Sequence, residues 1–299
     1  MEIFLEVMVP VLLVFVTGYI LQKRKMLDIK PVSTVALYVM TPALVFDTFY
    51  DTTIDIQYMY MLIFSAILLA VLIVINKVYA MIRKFSQDTE SGLILSTAFM
   101  NAGNFGAPLI LFAYGEEGFA YAVSFMVIQS VIMNVFGVYY AARGGSGIRQ
   151  ALKTVLMMPV TWAVVAAMLV IGFNITVPAP LLLTTGIIGE AAIPTVMIIL
   201  GMQLALIPWR SFEWELVTFS TLVRLFISPL LAFGITLLMP MDPMLANVLI
   251  VSAAMPSAAT IVMYSVQFEA RPELVSSVTL ITTVISVVTI TMLLFLLGS

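Results

Sequence analysis

Long apolar runs separated by short polar or Pro/Gly-rich stretches fill this chain. Ten can be read, near residues 3–21, 31–50, 58–79, 92–113, 118–140, 155–173, 180–205, 215–239, 245–266 and 273–298. Each approaches the ~20 residues that a helix, rising ~1.5 Å per residue, needs to cross a hydrocarbon layer. The pattern therefore predicts an all-α integral membrane protein with ten transmembrane helices. The second run is the least hydrophobic, but removing it would invert every later loop.

Charge placement tests that count, because Lys and Arg collect in cytoplasmic loops. With the N-terminus outside, the odd-numbered loops and their flanks hold Lys23, Arg24, Lys25, Lys30, Lys77, Arg83, Lys84, Arg143, Arg149, Lys153, Arg210 and Arg271. These are all the basic residues but Arg224, which falls inside the eighth run. The segregation predicts a multi-pass protein of the cell membrane with both termini outside. Met1 to Pro10 carries Glu2 and Glu6 and no basic residue, so it reads as part of the first helix rather than as a cleavable signal.

The halves of the chain resemble each other at an offset of about 150 residues. Pro10 falls on Pro159, Pro42 on Pro194, and Ala122-Val123-Ser124 on Leu274-Val275-Ser276; Asn101 and Asn104 fall near Ala254 and Ser257. Five helices per unit is an odd number, so the second unit enters the membrane reversed. The predicted organisation is a first repeat over 1–143, a short cytoplasmic linker over 144–153 and an inverted repeat over 154–299, with Gly144-Gly145-Ser146-Gly147 as a hinge. Secondary transporters use this plan and bind substrate near the midplane, where interrupted helices meet.

Composition narrows the chemistry. The 299 residues are 62% hydrophobic and 10% charged, against roughly 45–50% and ~25% in soluble domains. No Cys or His is present, which excludes disulfides, thiolate chemistry, His-ligated metals and His acid/base catalysis. With no Gly-x-Gly-Asp motif and no metal-ligand cluster, the chain is read as not an enzyme and as needing no cofactor. The net charge of −3 with no concentrated basic patch argues against nucleic acid as a partner and leaves the lipid bilayer and a small solute.

Candidate chemistry gathers in the fourth and ninth runs. The stretch Asn101-Ala102-Gly103-Asn104-Phe105-Gly106-Ala107-Pro108 places two amides, two glycines and a proline at membrane depth. Pro108 removes a backbone donor, while Gly103 and Gly106 lower the cost of unwinding. Its counterpart is Ala253-Ala254-Met255-Pro256-Ser257-Ala258-Ala259-Thr260. If these breaks cross near the centre, their half-helix N-termini would favour an anion, and Asn101, Asn104, Ser257 and Thr260 would supply hydrogen bonds. Close packing through small residues around a kink is the alternative.

Arg224 has two readings, attraction of an anionic substrate or a structural role as a salt-bridge partner or snorkelling side chain. Glu190, just before Pro194, is a candidate for proton coupling or for pairing with Arg224. Gln129, Asn134 and Gln203 could face a cavity or bond between helices. Asp47 and Glu6 read as interfacial, and Glu116 with Glu117 as a solvated turn.

The stretch Asn101 to Leu109 with Tyr114-Gly115 resembles the auxin efflux carrier family, which includes plant PIN-type carriers and bacterial permeases proposed for malate and malonate. Met255-Pro256, Arg271 to Ser276, Pro42, Glu190 ahead of Gly201, and Arg224 with Pro229 extend the likeness over the whole chain. The resemblance implies two inverted five-helix repeats, a scaffold from helices one, two, six and seven, and a transport part from the rest. It further implies crossing at Pro108 and Pro256, Asn101 as the crossover asparagine, elevator-like movement and a homodimer through the scaffold. Ser257 replaces a typical glutamine and Asp47 a typical histidine, so a bacterial organic-acid permease is the nearer likeness. The expected function is a secondary transporter for a small organic anion, with a channel or a receptor as alternatives and with the coupling ion, proton or sodium, left open.

Overall fold

The computed structural model describes residues 9–50, 56–142, 156–206 and 213–298. The expected linker and its glycine hinge, and Glu2, Glu6, Arg143, Arg149, Lys153 and Arg210, lie outside them. All described regular structure is helical apart from one isolated bridge, between Met100 and Ser257. We number the helices α1 (Val9–Lys25), α2 (Ile29–Tyr50), α3 (Ile56–Arg83), α4 (Gln87–Ala98), α5 (102–114), α6 (116–141), α7 (Pro159–Gly172), α8 (Ala179–Leu206), α9 (Trp214–Leu237), α10 (Pro243–Ala253), α11 (Ala259–Gln267) and α12 (Pro272–Leu297).

Local chemistry sets several starts. Asp28, Ser86 and Asp242 cap α2, α4 and α10 by accepting from backbone N–H groups of the first turn, and Pro159, Pro243 and Pro272 open helices where their missing donor costs nothing. The segment from Ala102 to Ala141 is continuous and apolar, but Gly115 adopts φ 66° and ψ −162°, which no helix contains. A Cβ on Gly103 would stand 3.2 Å from Met126 Sδ, so residues on either side of Gly115 face each other and the segment folds back into a hairpin.

Six described segments are long and apolar enough to cross a bilayer: α2, α3, the 102–141 hairpin, α8, α9 and α12. The other expected spans lack that length for visible reasons. The fourth and ninth are interrupted at 99–101 and 254–258, α7 has 14 residues, and α1 begins where the described residues begin. The outer surface carries exposed aliphatic and aromatic residues such as Leu183, Leu230 and Phe295, whereas Asn76, Ser96, Thr97, Arg224 and Ser286 are buried. Such an inside-out distribution suits a hydrocarbon solvent.

The helices pack as two bodies. In one, α1 lies along the second half of α8, and α2 lies on α7 and the first half of α8. In the other, α3 packs on α4 and α9, α10 on α9 and the 107–132 stretch, and α12 on α4, α9 and α11. The α1–α8 contact depends on absent side chains. A Cβ at Gly18 would come 2.1 Å from Ile198 O, and one at Gly201 would come 2.0 Å from Phe15 O. Without a strong hydrophobic drive between helices in lipid, such backbone approach gives the van der Waals contact that holds them together.

Gly201→Ala should therefore force α1 and α8 apart and cost about 1–3 kcal/mol, the usual range for overpacking. Gly234→Ala, with no atom within 4 Å of the new Cβ, should leave stability unchanged or slightly raised. Thermal unfolding of both variants in detergent checks this, and equal melting temperatures would refute the close-contact account.

Candidate functional site at the helix interruptions

α4 ends at Ala98, and Phe99 is extended with φ −115° and ψ 112°. Asn101 follows at φ −81° and ψ 65°, and α5 starts with a widened turn over Ala102–Gly106. In the other half α10 ends at Ala253, Ala258 is extended, and α11 starts at Ala259. The two interruptions lie side by side and antiparallel. The Asn101 N–H donates to Pro256 O at 2.9 Å, and the Ala258 N–H donates to Phe99 O at 3.0 Å. Unwound backbone buried in a membrane must find partners, and here each interruption supplies them to the other.

The prolines divide this task differently from the sequence expectation. Pro256 lies in its interruption and contributes its carbonyl. Pro108 lies beyond its interruption, in the helical turn after Gly106, and its missing donor falls next to the widened turn, where Gly106 N–H reaches back to Asn101 O at 2.9 Å. Gly106 also admits Met255, whose Cγ would be 3.3 Å from a Cβ there.

Arg224 donates to main-chain carbonyls of two other helices. It is fully buried in a widened turn of α9, Val223–Ile227, so it does not snorkel, and none of its hydrogen bonds goes to Glu190 or another carboxylate. One guanidinium nitrogen donates to Thr97 O at 2.7 Å, and another donates to Ala253 O and to Ser228 Oγ at 2.6 Å. Thr97 and Ala253 belong to the last turns of α4 and α10, whose final carbonyls have no partner within the helix. The guanidinium thus joins the C-terminal ends of both interrupted helices, where the helix dipole favours a cation.

The N-terminal ends open onto a cavity of about 130 Å³. Asn101, Gly103, Asn104 and Pro108 line it from the first interruption, and Ala258, Thr260 and Tyr264 from the second; α6 adds Gln129 and Asn134. The facing wall is apolar and comes from the other body, through Leu37, Leu44, Val160, Ile193 and Val196. None of the described residues lining the cavity carries a charged side chain. No side chain caps the N-terminus of α5 or α11. Asn101, 5% exposed, leaves its Nδ2 without a hydrogen-bond partner. An unpaired buried amide beside two uncapped helix N-termini is a set of donors without an acceptor, at a cost of about 1–3 kcal/mol for the amide alone.

The other candidates lie elsewhere. Ser257 faces α12, where its N–H donates to Thr282 Oγ1 at 3.2 Å and its Oγ accepts from Thr279 at 3.4 Å, so it is not on the cavity wall. Glu190 borders a second, more open cavity of about 640 Å³ with Asp47 and Glu116; Leu44 and Ile193 line both cavities and separate them. Asp47 accepts from Thr185 at 3.2 Å, which ties α2 to α8. Gln203 is off the wall of the smaller cavity, with its Oε1 buried and unpartnered. Tyr264, not singled out in the sequence, donates to Asn134 Oδ1 and closes one side of the smaller cavity. Its position one turn after Thr260 was the available signal.

Replacing Arg224 with Gln should leave the carbonyls of Thr97 and Ala253 without their charged donor. Ala253 O keeps the Ser228 Oγ donor at 2.9 Å, so Thr97 O is the carbonyl left orphaned, and the loss should be about 1–3 kcal/mol. Thermal unfolding in detergent measures it; an Arg224→Gln protein as stable as the parent would show that the guanidinium does not hold the interruptions.

Comparison with known proteins agrees with this architecture. The family model described as membrane transport protein matches twice, over residues 3–154 and 146–294. A protein of Methanothermobacter thermautotrophicus named an uncharacterized transporter is 28% identical over 302 residues, covering 95% of each chain. One of Methanocaldococcus jannaschii with a similar name is 27% identical over 300 residues, covering 96% of each. A Rhizobium meliloti protein provisionally named a malonate transporter is 27% identical over 210 residues, 68% of this chain and 65% of the other. With apolar spans, an interrupted helix pair and family matches over both halves, the chain is a multi-pass membrane protein that belongs to the membrane transport protein family, the family of auxin efflux carriers and malonate-type permeases.

Proposed function

We propose that this protein is a secondary carrier for a small organic anion, bound between the two helix interruptions. The carrying observation is the cavity, with no charged side chain among its described lining residues, at which two uncapped helix N-termini and the unpaired Asn101 amide converge. Helix N-termini and amide N–H groups are what a carboxylate needs, and no charged side chain competes for it. The volume suits a compact acid, since an apolar cavity of ~150 Å³ holds benzene. The Rhizobium meliloti relative's name supports malonate as the first candidate.

The reading includes ten passes in two inverted five-helix repeats, supported by the two family matches and by the paired interruptions. α4 with α5, and α10 with α11, each make one pass. α1, α2, α7 and α8 act as the scaffold; the other body carries the site, and the cavity lies between the two. With the N-terminus outside, the smaller cavity opens toward the cytoplasm and the cavity beside Glu190 faces outward, with Leu44 and Ile193 as the barrier. Elevator-type sliding of the site-bearing body past that apolar wall would expose the site to the other side.

The test is uptake of radiolabelled malonate into proteoliposomes. Uptake should saturate with concentration, and Asn101→Ala should lower it at least tenfold below saturation, as expected when a hydrogen bond worth about 1.5–3 kcal/mol to a charged group is lost. Transport by Asn101→Ala at the parent rate would remove the cavity as the site, and an unsaturable current would indicate a channel.

A further inference from the structure

Charge around the interruptions divides unevenly. Each helix end carries about half an elementary charge, negative at the C-terminus and positive at the N-terminus. The C-terminal ends of α4 and α10 amount to about one negative charge, and the buried Arg224 guanidinium, bonded to both, supplies one positive charge. The N-terminal ends of α5 and α11 amount to about one positive charge, facing a cavity whose described lining holds no charged side chain. Arg224, bonded to those C-terminal ends, is not among the residues that line the cavity.

We propose that this site accepts one negative charge and no more, so that a dicarboxylic acid is carried as its singly ionised form. The inference rests on the carrier reading above and narrows its substrate class to acids with one carboxylate and one neutral polar end. The ionised carboxylate lies between the N-termini of α5 and α11 and takes the free Nδ2 hydrogens of Asn101. The protonated carboxyl is a donor and an acceptor at once, which matches the mixed donor and acceptor capacity of Asn104, Gln129 and Thr260 on the same wall. A second carboxylate would find no cation there, and burying an unpaired charge is prohibitive. The titratable groups nearest the site are Tyr264 on its wall, Arg224 at the C-terminal ends of α4 and α10, and Asp47, Glu116 and Glu190 in the neighbouring cavity.

The experiment compares malonate with its monomethyl ester in proteoliposomes across about pH 5 to pH 8, where the ester stays singly charged while malonate loses its second proton. Expressed as total malonate, KM should rise about tenfold per pH unit above the second ionisation, because only the hydrogen malonate fraction binds. KM for the ester should hold within about twofold. A malonate KM that stays flat with pH overturns the single-charge limit. So does an ester KM that rises in step, since the titration would then belong to Asp47, Glu116 or Glu190, and so does exclusion of the ester. In these cases malonate still moves and the carrier reading stands. Uptake of neither compound at any pH overturns the carrier reading for such acids and this inference with it.

Discussion

Backbone polar groups cannot be left unpaired in the interior of a membrane, and the arrangement of this protein follows from how it meets that requirement at two places where helices stop. At Phe99 to Asn101 and at Ala254 to Ala258 the intrahelical ladder is lost. Three devices replace it: a two-bond antiparallel bridge between the interruptions, a buried guanidinium on the C-terminal carbonyls, and a widened turn that lets Gly106 reach Asn101. The N-terminal ends of α5 and α11 have no side-chain cap among the described residues, and they line the cavity. The binding reading comes from this remainder.

The surrounding helices are arranged to keep that remainder between two differently built bodies. One is held by backbone-to-backbone approach at Gly18, Gly189 and Gly201, leaving an apolar face of Leu44, Ile193 and Val196 toward the site. The other contains the interruptions and a buried polar interior in which Asn76 bonds Thr97 and Gln129 bonds Ser65. Phe15 against Phe105, with ring centres 5.2 Å apart, is an aromatic contact between the two bodies. An apolar wall against a body with a polar interior is a surface with few directional bonds.

Much of this was legible in the sequence, because bilayer physics writes in long apolar runs. The interruptions were visible as Asn, Gly and Pro clustered inside apolar stretches. Their locations were less visible, since Pro108 advertises a break that the structure places at Phe99 to Asn101. Arg224 was conspicuous but ambiguous, because its partners are main-chain carbonyls of Thr97 and Ala253, which no side-chain pattern reveals. Ser257 was drawn toward the cavity by its place in the motif, but its backbone N–H is bonded to Thr282 and its hydroxyl to Thr279, both on α12. Gly18 and Gly201 were unremarkable until their backbone neighbours were known. What sequence does not carry is which face of an unwound residue points where.

The Met100–Ser257 bridge has a mechanical meaning. Two main-chain bonds and one shared guanidinium yoke the interrupted helices, so a push on either is transmitted to the other. The donors around the cavity consequently keep their spacing relative to one another, whatever the surrounding helices do.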